Sequence, residues 1–211
     1  FMALKTEEFW GKNSFKWGKL LNPFKIPEIP VNEEVGGFGL YFGRLIDEKG
    51  VDVLINALTF IPHYPFKIVG DGPDLEKLKL MAKDYKLKNI EFVGPLWGAE
   101  LNKLLYSSRF VVVPSIWHEN FPYVILQAFA AGKPVIGSNR GGIPEMISNR
   151  ERGLVYDAED PKLLAENIHE LWENEKLIVE YGTNARKYVL ENFNDEVFYN
   201  NLIFNYNKVL K

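Results

Sequence analysis

Phe38-Gly39-Leu40-Tyr41-Phe42-Gly43-Arg44-Leu45-Ile46-Asp47-Glu48-Lys49-Gly50-Val51-Asp52-Val53-Leu54-Ile55-Asn56-Ala57-Leu58-Thr59-Phe60 sets the pattern that the rest of the chain repeats. Phe38 to Phe42 is an unbroken apolar run, as expected of a strand covered on both faces, and Val51 to Phe60 has helical periodicity. Further strands are expected at Phe66 to Val69, Ile90 to Val93, Phe110 to Val113, Pro134 to Ile136 and Gly153 to Val155. Between and after them, helices are expected at Asp74 to Tyr85, Ala99 to Ser107, Tyr123 to Ala131, Pro144 to Ile147, Pro161 to Trp172 and Lys176 to Glu191. Alternation of this kind specifies an α/β, Rossmann-like, doubly wound parallel sheet with helices on both faces. Asp74 reads as a helix N-cap and Pro144 as a first-turn proline. A last amphipathic stretch, Glu196 to Leu210, puts Val197, Leu202, Ile203, Tyr206 and Leu210 on one face, which calls for a packing partner.

Upstream of this pattern the composition changes. Residues 1 to 36 hold six aromatics, Phe1, Phe9, Trp10, Phe15, Trp17 and Phe24, and run into Asn22-Pro23-Phe24-Lys25-Ile26-Pro27-Glu28-Ile29-Pro30. Proline at that spacing resists helix and central strand, so a linker is expected, preceded by the tail of another domain or by an arm packed on this one. The chain opens on Phe1 rather than Met, as a fragment would, with targeting or membrane-binding surfaces left to the missing part.

Over the whole 211 residues, 46% are apolar and 25% charged, the mix of a folded globular protein. A net charge of -3 argues against the broad cationic surface that nucleic-acid binding requires. The absence of cysteine excludes disulfides, thiolate metal sites and Cys nucleophiles. His63, His118 and His169 show no ligand spacing, so no metal site is expected. No apolar run is long enough to span a bilayer and no signal peptide opens the chain, which points weakly to the cytoplasm.

In a doubly wound sheet, ligands bind beyond the carboxyl ends of the strands. After the first strand come Gly43 and Arg44, with Lys49 five residues later near a helix start; two cations beside a helix N-terminus suit a diphosphate. The plain alternative is a surface arginine plus an ion-pair cluster of Asp47, Glu48 and Lys49. After the second strand, Gly70-Asp71-Gly72-Pro73 is a tight turn that lets a ligand approach backbone. The third strand ends in Gly94-Pro95-Leu96-Trp97, whose indole could stack on a nucleobase or merely shield a loop.

The fourth strand delivers Pro114-Ser115-Ile116-Trp117-His118-Glu119-Asn120-Phe121-Pro122-Tyr123-Val124-Ile125-Leu126-Gln127. The amides of Tyr123 and Val124 at the following helix start are free for a phosphate oxygen, while Glu119 before the helix and Gln127 one turn inside it converge on the same place. Glu119 could accept from sugar hydroxyls, or simply serve the helix as a cap or dipole partner. His118 reads as a loop or supporting residue, and Gly141-Gly142 forms a turn into the next helix. Three familiar signals fail. Phe42 stands where G-x-G-x-x-G needs glycine, and neither G-x-x-x-x-G-K-[ST] nor G-x-S-x-G occurs.

Together, Phe42-Gly43-Arg44 with Glu48-Lys49-Gly50, Gly70 to Pro73, Phe92-Val93-Gly94, Pro114-Ser115 with Glu119 to Pro122, Ala130 to Ile136 and Gly141 to Glu145 resemble the donor-binding domain of the group 1 (family 4) glycosyltransferases. The resemblance runs in order from about residue 38 to the end and implies the C-terminal half of a GT-B fold in a retaining enzyme. Division of the chain then follows: 1–36 as linker or remnant of the N-terminal acceptor domain, 37–194 as nucleotide-sugar donor-binding domain, 195–211 as a helix crossing back to the missing half. Arg44 and Lys49 match the family residues that neutralise the donor diphosphate, and Glu119 the one that contacts the donor sugar. Gly43, Asp71, Gly72 and Ser115 fall in the same motifs. Amides around Asn120, Phe121, Tyr123 and Val124 match the phosphate loop, and Gly94, Leu96 and Trp97 the base pocket.

Gln127 departs from the family, which places a ribose-binding glutamate there. No cofactor or metal is expected, the nucleotide-diphosphate sugar being the substrate, and the acceptor, a glycan or lipid-linked molecule, belongs to the missing domain. This chain alone should therefore be inactive. Peripheral association with the inner face of the membrane is compatible with that acceptor. A noncatalytic nucleotide-binding or interaction domain on a degraded site is the alternative, with Gln127 as its argument.

Overall fold

The structure, a computed structural model, describes residues 2–12, 20–26 and 35–209. Phe1, Phe15, Trp17, the run Pro27 to Pro30 and Leu210, on which several expectations rest, lie outside these residues.

Strands β1 (Gly39–Phe42), β2 (Phe66–Val69), β3 (Ile90–Gly94), β4 (Phe110–Val113), β5 (Val135–Ser138) and β6 (Gly153–Tyr156) form one sheet in the order β3-β2-β1-β4-β5-β6. Every pairing is parallel, with Gly39 beside Phe66 on one side and Phe110 on the other. Strand order reverses between β1 and β4, the switch point of a doubly wound sheet.

The helices around it are α2 (Val51–Leu58), α3 (Leu75–Asp84), α4 (Gly98–Tyr106), α5 (Tyr123–Ala130), α6 (Ile143–Ile147), α7 (Pro161–Glu173), α8 (Glu175–Asn192) and α9 (Asp195–Val209). Side chains alternate across each strand, so the sheet has two cores. On one face Tyr41, Phe66, Ile68, Phe110, Val112 and Ile136 pack against α2, α3 and α7. On the other, Leu40, Phe42, Val111, Val113 and Val135 pack against α4, α5 and α6, and α8 contributes to both. With both faces covered, a strand has no polar side to show, which is why the strands read as apolar runs.

Helix ends follow local chemistry with one correction. Pro144 lies in the first turn of α6 as expected, and Asp160 caps α7 by accepting from the Lys162 and Leu163 amides at 3.0 and 2.9 Å. Asp74 stands at the N-cap position of α3 as expected, but without a side-chain cap bond: its backbone is already helical, its carbonyl accepts from the Leu78 amide at 2.9 Å, and its own amide donates to Leu45 O at 3.1 Å.

Two stretches of the aromatic-rich N-terminal region lie among the described residues. Met2–Trp10 forms helix α1, built from good helix formers (Met2, Ala3, Leu4, Lys5, Glu7, Glu8) with no buried residue. Residues 20–26 are an arm packed on the domain: Leu21, Phe24 and Ile26 lie on the second core, and the Phe24 amide donates to Phe193 O at 2.8 Å. Of the apolar stripe expected on α9, Val197 and Leu202 are half-buried, whereas Ile203 and Tyr206 are 41% and 61% exposed.

Candidate active site at the switch point

Two loops meet above β1 and β4. After β1, Gly43 and Arg44 lead into a single 3-10 turn, Asp47–Lys49, closed by Gly50 in left-handed conformation at φ 64°. A Cβ at Gly50 would lie 2.1 Å from Pro114 O, so only glycine lets this turn press against the loop after β4. Ile116 and Trp117 amides both donate to Glu48 O, at 3.1 and 3.2 Å, and complete the seam. Lys49 therefore ends the 3-10 turn two residues before Val51, the first residue of α2, rather than lying inside that helix.

This seam brings Lys49 Nζ onto Glu119 Oε1 as a hydrogen-bonded ion pair whose side chains are 25% and 17% exposed. Ser115, buried at the end of β4, donates its hydroxyl to the same Glu119 oxygen at 3.1 Å. The alternative, a local cluster of Asp47, Glu48 and Lys49, does not form, because Asp47 pairs with Lys77 at 2.8 Å and Lys49 reaches across to Glu119 in the loop after β4. Nor does Glu119 cap α5. Pro122 is the cap residue, with no side-chain bond, leaving the first amides of α5, Tyr123 and Val124, without an intrahelical partner.

Arg44 is exposed beside this pair. Beneath it Tyr41, 3% exposed, donates to Arg44 O at 2.7 Å. Burial pushes the Tyr41 phenol up, the Glu119 carboxylate pushes it further and the Arg44 guanidinium opposes, so both charges lie within electrostatic reach of one hydroxyl.

The remaining sequence candidates line the same rim at different distances from the switch. The Gly43 amide donates to Val69 O at 3.0 Å, and Asp71 accepts on its backbone from Leu45 and on its carboxylate from Gly72, at 2.9 and 2.8 Å. Gly94 O accepts from Gly70 at 3.0 Å; Leu96 is packed on the second core, while Trp97 is 74% exposed at the start of α4. These last three follow β3, two strands from β1. Asn120 is exposed, Gln127 half-buried one turn inside α5, and His118 exposed on the loop. Phe121 packs edge-on to Tyr123, with centroids 5.8 Å apart. The Tyr123 hydroxyl accepts from Asn22 at 3.3 Å and its ring lies 6.4 Å from that of Phe24.

The family model for glycosyl transferases group 1 matches residues 25–188. The chain belongs to this family. A group 1 relative, an uncharacterised glycosyltransferase of Methanocaldococcus jannaschii, is 35% identical over 161 residues, which cover 76% of this chain and 45% of the relative. Spore coat protein SA of Bacillus subtilis is 33% identical over 185 residues, covering 80% of this chain and 48% of that protein. The chain thus spans about half the length of the curated relatives it matches. Among solved structures, S. aureus TarM in complex with fondaparinux, α-GlcNAc-glycerol and UDP superposes with a TM-score of 0.82 at 20% identity, covering 96% of this chain and 42% of TarM. The fold is the Rossmann-like α/β sheet of GT-B glycosyltransferases.

Two contacts that hold Glu119 were not read from sequence, although Gly141-Gly142 was noted as a turn. Ser138, at the end of β5 and fully buried, donates to Ser115 O at 2.5 Å and so fixes the residue that holds Glu119. Gly142 donates to Glu119 O at 2.6 Å, and a Cβ at Gly141, φ 59°, would lie 2.2 Å from that same oxygen. Paired glycines directly after β5 were the available signal for a close backbone approach.

Proposed function

We propose that this chain is the donor-binding half of a retaining glycosyltransferase that takes its sugar from a nucleoside-diphosphate sugar. The observation that carries the reading is the convergence of Arg44, Lys49, Glu119 and the α5 amides at the switch point of the sheet. The UDP bound by TarM supports the donor class.

In this reading the diphosphate lies between Arg44, Lys49 and the amides of Tyr123 and Val124. As the glycosidic bond breaks, negative charge grows on the departing phosphate, and fixed cations bind that state more tightly than the ground state. Lys49 already neutralises Glu119, so it can bridge the carboxylate and a phosphate oxygen, leaving the other Glu119 oxygen for a sugar hydroxyl. Asp71, Gly72 and Gly43 form the near wall. Gly94, Leu96 and Trp97 take the base, and Gln127 faces the ribose with one amide oxygen. Two cations and helix amides supply the field a metal would otherwise provide, so binding is metal-independent. Retention is what the family resemblance implies. The acceptor, a glycan or lipid-linked molecule, and any membrane association come with sequence beyond this chain, which alone transfers nothing.

Calorimetry with UDP, GDP and ADP, each with and without EDTA, tests the reading. Binding of one of them that survives EDTA is expected; no binding of any, or its loss in EDTA, overturns it. The noncatalytic alternative rests on Gln127, and transfer by the longer protein containing this chain would exclude it.

A further inference from the structure

Resting on that reading of the site, we infer that Tyr41 is a positioning residue which sets the direction of Arg44 toward the donor diphosphate. Tyr41 is the third residue of β1, the strand at the switch point, and its side chain points into the core shared with α2 and α7. An apolar ring would fill that space equally well. The hydroxyl instead reaches the end of the strand and donates to the Arg44 carbonyl at 2.7 Å. It lies close enough to Gly43 that a Cβ there would approach it to 3.1 Å, so the phenol occupies the space a side chain at 43 would need.

The backbone around Arg44 is then held from several sides. The Gly43 amide donates to Val69 O at 3.0 Å, the Arg44 carbonyl accepts from Tyr41, and the Leu45 amide donates to Asp71 O at 2.9 Å. The last two contacts share the Arg44–Leu45 peptide and fix its plane, while the first anchors the Phe42–Gly43 peptide one residue earlier; together they restrict the direction of the Arg44 Cα–Cβ bond. Arg44 itself is exposed and donates to no described residue, so among the described residues its backbone is what aims it. Burial together with the nearby Glu119 carboxylate keeps the phenol protonated, so it remains a donor at physiological pH.

The test is a double-mutant cycle read by calorimetry on this chain. Whichever of UDP, GDP and ADP binds the parent is titrated against Tyr41→Phe, Arg44→Ala and the double variant, with the matching monophosphate in parallel. Tyr41→Phe is expected to weaken the diphosphate roughly fivefold, the worth of one ordinary hydrogen bond, and the monophosphate by under about twofold. In the Arg44→Ala background the same substitution should cost nothing further. Installing 4-aminophenylalanine at position 41, which restores a donor, should recover the loss and keeps the test open if the Phe variant folds poorly. Undiminished affinity in Tyr41→Phe, an equal loss in the Arg44→Ala background, or no rescue by the amino analogue overturns the inference while leaving the proposed function standing. A parent chain that binds no nucleoside diphosphate overturns both.

Discussion

Arg44 and Lys49 carry the same charge and, in the proposed function, face the same ligand, yet their surroundings separate what their removal should do. Arg44→Ala and Lys49→Ala are each expected to weaken diphosphate binding by roughly 1.5 to 3 kcal/mol, the range for hydrogen bonds to charged groups, and to spare the monophosphate relative to the diphosphate. Arg44 is exposed, so its loss should leave the unfolding midpoint unchanged. Lys49→Ala strips the counter-ion from Glu119, whose side chain is 17% exposed, and should cost about 1 kcal/mol in urea unfolding as well. Equal stability of the two variants would contradict the ion pair. Gln127 poses a different question, whether its position reads ribose. A carboxylate there accepts with charged oxygens, so Gln127→Glu should tighten a ribonucleotide by about 1 kcal/mol while leaving the 2′,3′-dideoxy nucleotide unmoved. The same gain on both ligands would remove Gln127 from the ribose contact.

At the scale of elements, two loop and helix-end substitutions of similar cost should behave oppositely toward ligand. Gly141→Ala forces a side chain into left-handed backbone with its Cβ 2.2 Å from Glu119 O, so a loss of about 1 to 3 kcal/mol in stability should come with weaker nucleotide binding. Asp160→Ala removes the cap of α7 at the cost of about 1 kcal/mol, and calorimetry should find nucleotide affinity unchanged. The same division explains what could be read from the sequence. Strands buried on both faces and helices with apolar stripes are local signals, and all six strands stand where their apolar runs lie. The residues of the site were legible for a similar reason, since each follows a strand. Their connections were not: Lys49 finds Glu119 across 70 positions, and Ser138 fastens Ser115 from the next strand, contacts that exist only once the sheet has assembled. Competition misled the rest. Asp74 holds the N-cap position of α3 without a side-chain bond, its amide turned to the loop after β1, and the good helix formers of Met2–Trp10 were overshadowed by the prolines that follow.

For the whole molecule, one buried ammonium and several buried phenols set opposing slopes of stability with pH. Burial pushes Lys133, 4% exposed, down to about 8. Below that pH both states carry the proton and the folded state bears the cost; between about 8 and the free-lysine value near 10.4, only the unfolded chain holds it, so stability rises with pH. Tyr41, Tyr64 and Tyr156 are pushed up by burial, Tyr64 to about 12 with help from its hydrogen bond to Glu173, so their contribution is complete below the ordinary phenol value near 10 and is lost above it. Urea unfolding should therefore show stability climbing from about pH 8 and falling beyond about pH 10. Lys133→Met should flatten the climb and stabilise the chain at pH 7 by about 2 kcal/mol; an unaltered pH profile would absolve Lys133. The hydrogen bond from the Phe24 amide to Phe193 O bears on something else again. Residue 24 enters the domain and residue 193 leaves it at one corner, while the sheet lies wholly between them in sequence. A bead threaded this way can be spliced into a surface loop of an unrelated carrier, or joined end to end and reopened elsewhere, without prying strands apart. Tension applied through the two entry points would load that corner alone and leave the sheet slack.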